Sequence, residues 1–194
     1  MSEEGEDPRD APLGPADFAR ACMQSCVLAH PLPAPPAHPF FRRRAACFVS
    51  LKKRGELRGC IGTLEPAEPH LGAEIARNAR AAAFHDPRFH RVRADELPEL
   101  TCSVDVLSPS APCTLADLDP VLYGVIVLAD FRRGVLLPDL EGVDTAEQQV
   151  DIALQKAGIG RSEGFTLERF TVTRYREGES PRDEEVDEQP APSG

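Results

Sequence analysis

The chain has no tryptophan, two tyrosines and only 6% aromatic residues, which leaves little to stack on bases and makes nucleic acid an unlikely partner. It also lacks any strand running into GxGxxG or a Walker A loop, so a nucleotide fold has no support. No apolar run approaches the length of a membrane span, and the opening MSEEGEDP has neither the positive n-region nor the apolar h-region of an export signal. The expectation is a cytoplasmic chain with no membrane association. Six cysteines at scattered spacings then read as reduced thiols, mostly small buried hydrophobes, rather than as three disulfides. The five histidines, His30, His38, His70, His85 and His90, fall on or near loops without zinc spacing. Neither a metal nor another cofactor is expected.

What is present is unevenly charged. The formal net charge is −10, but residues 1–15 carry one basic and five acidic groups and residues 177–194 one and seven. The two ends therefore hold the whole excess, and residues 16–176 balance at 20 against 20. Rich in Pro, Gly, Ser and acid, both ends are expected to be disordered acidic tails around a single folded domain at 16–176. Among 194 residues this is one domain, or two small lobes sharing a core.

Along the folded part, Asp17 can cap a helix over about 17–29, which the proline-rich PLPAPPAHP ends. AACFVSLK and ELRGCIGTL flank Arg54 and Gly55 as a hairpin. Apolar spacing predicts a helix from Leu71 to Phe84, interrupted by His85, Asp86 and Pro87. LTCSVDVL alternates as a half-buried strand, YGVIVL reads as a central strand, and GVLLP follows after a turn. Asp144 with Glu147 resembles a capping box for a helix stopped at Gly158. In FTLERFTVTRY the apolar parity switches, predicting a bulge near Glu168 and Arg169. Strands and helices interleave without strict βαβ alternation, so the fold class is α+β.

The site-like stretch is LRGCIGTLEP, Leu57 to Pro66. Strand alternation puts Arg58, Cys60 and Gly62 on one side and Leu57, Gly59 and Ile61 on the other. Glycines weaken a strand unless something comes close, so Gly59 and Gly62 predict the approach of a backbone or a ligand. Arg58 beside Cys60 is the arrangement that activates a thiol as nucleophile or covalent carrier, while a small residue in a tight sheet explains the same cysteine. His85 and Asp86 can be a base with its orienting carboxylate, or simply a polar helix end. Arg88 can hold an anion or make a structural salt bridge. The basic run from Arg42 to Arg58 fits phosphate binding less well than a charged strand edge. Cys22 and Cys26 start a CxxxCxxC cluster motif, but position 29 is Ala29, so the chain is not a radical enzyme and packing explains both thiols.

LRGCIGTLEP, AAAFHDPRF, YGVIVL with RRGVLLPDL, and a helix ending QKAGI resemble, in order and spacing, the AMMECR-like family, called in microbes AmmeMemoRadiSam system protein A. The likeness runs from about Phe18 to Tyr175. It implies two related β-rich repeats with flanking helices sharing one barrel-like mixed sheet, and association with a Memo-like protein and a radical SAM enzyme. The family's usual aromatic after Gly-Thr is here Leu64, which alters what stacks at the groove. Two readings follow. In one, an enzyme component acts on a small anionic or carbonyl-bearing ligand, with Cys60 and His85 catalytic and Arg58, Gly59, Gly62, Thr63, Asp86 and Arg88 binding. In the other, the same face is a non-catalytic binding or scaffold module.

Overall fold

The computed structural model describes residues 13–182; most of both acidic tails, residues 1–12 and 183–194, lies outside them. The chain divides into two units, one comprising residues up to Val106 with those from Arg174 onward, the other Leu107–Thr173.

The first unit opens with helix α1 (Pro15–Val27), whose first turn holds Pro15, a residue that has no N–H to waste there. Asp17 lies inside that turn rather than at the cap, and its carboxylate accepts the Gly178 N–H. The proline-rich segment leads to the short α2 (Pro39–Arg42), then to the hairpin β1 (Cys47–Lys53) and β2 (Glu56–Gly62). Arg54 and Gly55 both take positive φ, 52° and 89°, as a tight hairpin turn requires. Helix α3 (Leu71–Phe84) follows with the predicted ends, His70 capping its start and His85 its finish. A 3-10 turn at Ala94–Glu99 feeds β3 (Leu100–Leu107). The sheet order is β2-β1-β3-β8, with β8 (Val172–Arg176) returning from the chain's far end. Below it, Phe18, Phe40, Phe41 and Tyr175 are almost fully buried and meet edge to face at 5.3–5.7 Å. Glu177, at the head of the expected tail, accepts the Cys102 N–H at 2.6 Å and pairs with Arg20 at 3.0 Å.

The second unit contains β4 (Ala111–Cys113), β5 (Gly124–Ala129), β6 (Arg132–Leu136), α4 (Ala146–Ala157) and β7 (Thr166–Phe170), with sheet order β4-β7-β5-β6. YGVIVL does supply an interior strand. The capping box is Thr145 with Gln148, one residue beyond the predicted pair, and Gly158 ends α4 in the left-handed region at φ 65°. Val125, Val127, Leu136, Val150 and Leu154 form its core.

The expected sheet arrangement needs correction. The strands do not close into one shared barrel-like sheet; among the described residues they form two four-stranded sheets. Pro109, which has no N–H to donate, follows the end of β3, and the chain resumes as β4 in the other sheet. The parity switch in FTLERFTVTRY has the same origin. The break falls at Thr171, between β7 in one sheet and β8 in the other, rather than as a bulge at Glu168 and Arg169. No helix among the described residues is long and apolar enough to cross a membrane.

Candidate functional site

β2 is an edge strand whose exposed ladder is covered by the loop that follows α3. The Cys60 N–H donates to Asp86 Oδ2 at 2.8 Å. Asp86 also accepts from the Arg88 backbone N–H at 3.0 Å and from the guanidinium at 2.7 and 3.0 Å. Arg88 reaches on to the Cys60 carbonyl at 3.4 Å. The guanidinium first, with the Cys60 and Arg88 amides behind it, holds this buried carboxyl well below the ordinary carboxylate range. Asp86 is therefore a fixed anion that clasps loop to strand.

Arg58 serves a second clasp. It meets Glu96 through Nε at 3.0 Å and Nη2 at 2.9 Å, and donates to the carbonyls of His90 at 2.9 Å and Arg91 at 3.4 Å. Lys53 joins Glu96 at 3.1 Å. The Arg58 and Lys53 bonds hold the Glu96 carboxyl down at about 2. The charge of Arg58, which the sequence suggested for an anion or for the thiol, is taken up here.

The glycines explain themselves differently. A Cβ on Gly59 would lie 2.3 Å from the Ala82 carbonyl oxygen, so β2 rests directly on the backbone of α3. At Gly62 the intruder would be the Phe48 ring, also at 2.3 Å. Both positions are close approaches of protein to protein. The Cys60 thiol is half-buried and accepts from Ser50 Oγ at 3.2 Å. Cys22, Cys47 and Cys102, by contrast, are buried and pushed up to about 12, mainly by desolvation.

Two hollows flank this strand and a third lies beyond α3. Arg58 and Arg88 share one of about 340 Å³ with Pro87, Phe89 and His90. A groove of about 660 Å³ runs between the end of β2 and α3, lined by Ile61, Gly62, Thr63, Ala76, Arg80 and His85 among others. A third, of about 420 Å³, includes Arg80 and His85 at the ends of α1 and α3. Thus Gly62, Thr63 and His85 come together, as do Arg58 and Arg88, while Cys60 lines none of the three. No group of three or more His, Cys, Asp or Glu among the described residues is arranged to hold a metal.

Sequence reasoning passed over Glu74. Its side chain is fully buried, yet it accepts from Thr63 Oγ1 at 2.5 Å and from the amides of Ala67 and Glu68 at 2.8 and 2.7 Å. It pins the 63–68 loop that forms one wall of the groove. The signal was available: Glu74 and Asn78 fall on the same 3.6-residue stripe as Leu71, Ile75 and Ala79. Two polar residues on a buried face need partners.

The comparisons with known proteins agree on kinship. The AMMECR1 family model matches residues 16–179, and the chain belongs to that family. A Thermotoga maritima protein is 53% identical over 139 residues, covering 70% of this chain and 80% of that one. A Clostridium acetobutylicum protein is 52% identical over 130 residues, which is 67% of this chain but only 28% of the relative's length. Among solved structures, an uncharacterised Pyrococcus horikoshii protein superposes with a TM-score of 0.73 at 25% identity, covering 86% of this chain and 92% of that one.

Proposed function

We propose that this chain is the binding component of an enzyme system, holding a small ligand in the groove beside the LRGCIG strand. The chemistry would be supplied by partners, which the family resemblance suggests are a Memo-like protein and a radical SAM enzyme. The observation that carries this reading is the groove itself. Its roughly 660 Å³ lies in the range of small-molecule sites, and small residues of α3, Ala73, Ala76 and Ala81, leave it open. Thr63, Arg80 and His85 supply polar groups that would orient an anionic or carbonyl-bearing ligand. Cys60 outside the groove, and Arg58 and Asp86 bound in clasps, support binding over a free-standing thiol mechanism. The test begins with untargeted metabolite profiling of a deletion strain. A compound that accumulates should bind the full chain and fail to bind Ala76→Trp, which fills the groove. Equal binding to both proteins would sink the reading.

A second reading, a scaffold for protein partners, has one specific observation in its favour. Phe131, at the β5–β6 turn, is 94% exposed, and an aromatic ring presented this way is the kind of anchor that protein interfaces bury. Phe131→Ser should keep the fold and lose any partner that docks there, measured by pull-down with purified candidates. Unchanged capture would leave the groove reading alone.

A further inference from the structure

The hollow of about 420 Å³ is built from the last turns of α1 and α3, the segment after α1, and the segment that follows the Asp86 clasp. Its polar lining is Cys26, His30, Arg80, His85 and Arg91; no carboxylate lines it. Five other arginines of the molecule are matched to a carboxylate: Arg20 sits on Glu177, Arg58 on Glu96, Arg88 on Asp86, Arg132 on Glu163 and Arg174 on Asp105. Neither Arg80 nor Arg91 has an ion pair among the described residues, although the two line the same concavity. Two unmatched guanidinia in one hollow form a local positive field.

The hollow is also held in shape. Arg58, anchored by Glu96, donates to the carbonyls of His90 and Arg91, fixing the backbone that presents Arg91. Ala29, a non-glycine residue at φ 56°, turns the chain sharply after α1, and the His30 N–H closes onto the Ser25 carbonyl at 2.8 Å. Arg80 reaches far enough to act on the half-buried Cys26 thiol, opposing the upward push of burial on its pKa.

We infer that this hollow is an anion subsite for the phosphate of a small phosphorylated metabolite, with Arg80 and Arg91 as the binding pair, His30 and His85 as further donors, and Arg58 as a positioning residue. Planar guanidinium forks match phosphate oxygens, and two from different elements grip one group from two sides. This goes beyond the groove reading while sharing Arg80 and His85 with it, so a ligand can lie in the groove with its phosphate here. Ala76→Trp fills the groove but leaves the hollow intact, which lets the two ideas fail separately.

The experiment is calorimetric titration of the full chain at low ionic strength with ribose 5-phosphate, ribose and succinate, alongside alkylation of Cys26 with iodoacetamide. Ribose 5-phosphate should bind and slow Cys26 labelling, ribose should do neither, and succinate should bind more weakly. Arg80→Gln and Arg91→Gln should each weaken ribose 5-phosphate by about tenfold or more at an unchanged melting temperature, since each removes one charge-assisted pair. Arg161→Gln, an exposed arginine of the other unit, should leave the affinity within about twofold, as expected if diffuse net charge contributes little. The assignment is overturned by absence of ribose 5-phosphate binding, by ribose or succinate binding as tightly as ribose 5-phosphate, by unprotected Cys26, or by Arg161→Gln costing as much as Arg80→Gln.

Discussion

The two units use one packing device and equip it differently. In the first, hairpin β1–β2 lies on α3; in the second, hairpin β5–β6 lies on α4. Gly59 and Gly134, 75 positions apart, occupy the same situation. A Cβ on Gly134 would lie 2.0 Å from the Ala153 carbonyl oxygen, as one on Gly59 would lie 2.3 Å from that of Ala82. The same spacing relates the helix caps His70 and Thr145, each accepting an N–H three residues on. It also relates Glu74 to Gln149, both fully buried, and Cys60 to Val135. The differences are polar. Glu74 gathers two amides and a hydroxyl, whereas Gln149 donates only to the Tyr123 carbonyl at 2.8 Å and leaves its Oε1 without a partner. Backbone-on-backbone packing is thus the shared scaffold, and the charged clasps of Asp86 and Glu96 belong to the first unit.

The largest effect should come from the shared device. Gly59→Val and Gly134→Val each force a side chain into a helix carbonyl, and each should cost about 3 kcal/mol or more, read as a fall in urea midpoint or loss of soluble protein. A cost under about 1 kcal/mol at either site would break the equivalence.

Acid should then separate the units. Glu96 is held near 2 against an ordinary 4.5, with its side chain 12% exposed. A depressed carboxylate stabilises above its unfolded value, so this contribution is present above about pH 4.5 and fades as the pH falls through 2, on the order of 2 kcal/mol. Glu96→Gln should lower stability at pH 7 and flatten that acid limb. Hydrogen exchange at pH 3 should show β2 and the 90–96 segment opening before β6, because the ion pair at the start of β6, Arg132 with Glu163, is more exposed. Simultaneous opening would mean the clasps do not differ in weight.

The smallest effect tests the point of divergence. Cys60→Val installs the residue that stands at the matching place of the second unit, and stability should change by less than about 1 kcal/mol. In the unaltered chain Cys60 should alkylate faster than Cys22, Cys47 and Cys102, which burial silences. Loss of ligand binding in Cys60→Val with the fold intact would return the thiol to the centre of the function.

Local chemistry made much of this molecule legible in one dimension. Apolar spacing marked α3 from Leu71 to Phe84, Arg54 and Gly55 marked the hairpin turn, and Gly158 marked the end of α4, because each depends on neighbours within a few residues. LRGCIG was likewise visible as a place of close approach. What approaches it was decided by tertiary structure alone: Ala82 behind Gly59, Phe48 against Gly62, and Asp86 on the amide of Cys60 from 26 residues away. The same holds for the partners that absorb Arg58 and for the pairing that leaves Arg80 and Arg91 unmatched. A charge is written in the sequence, but whether it is spent on the fold or left for a ligand depends on which carboxylate the folded backbone brings within about 4 Å.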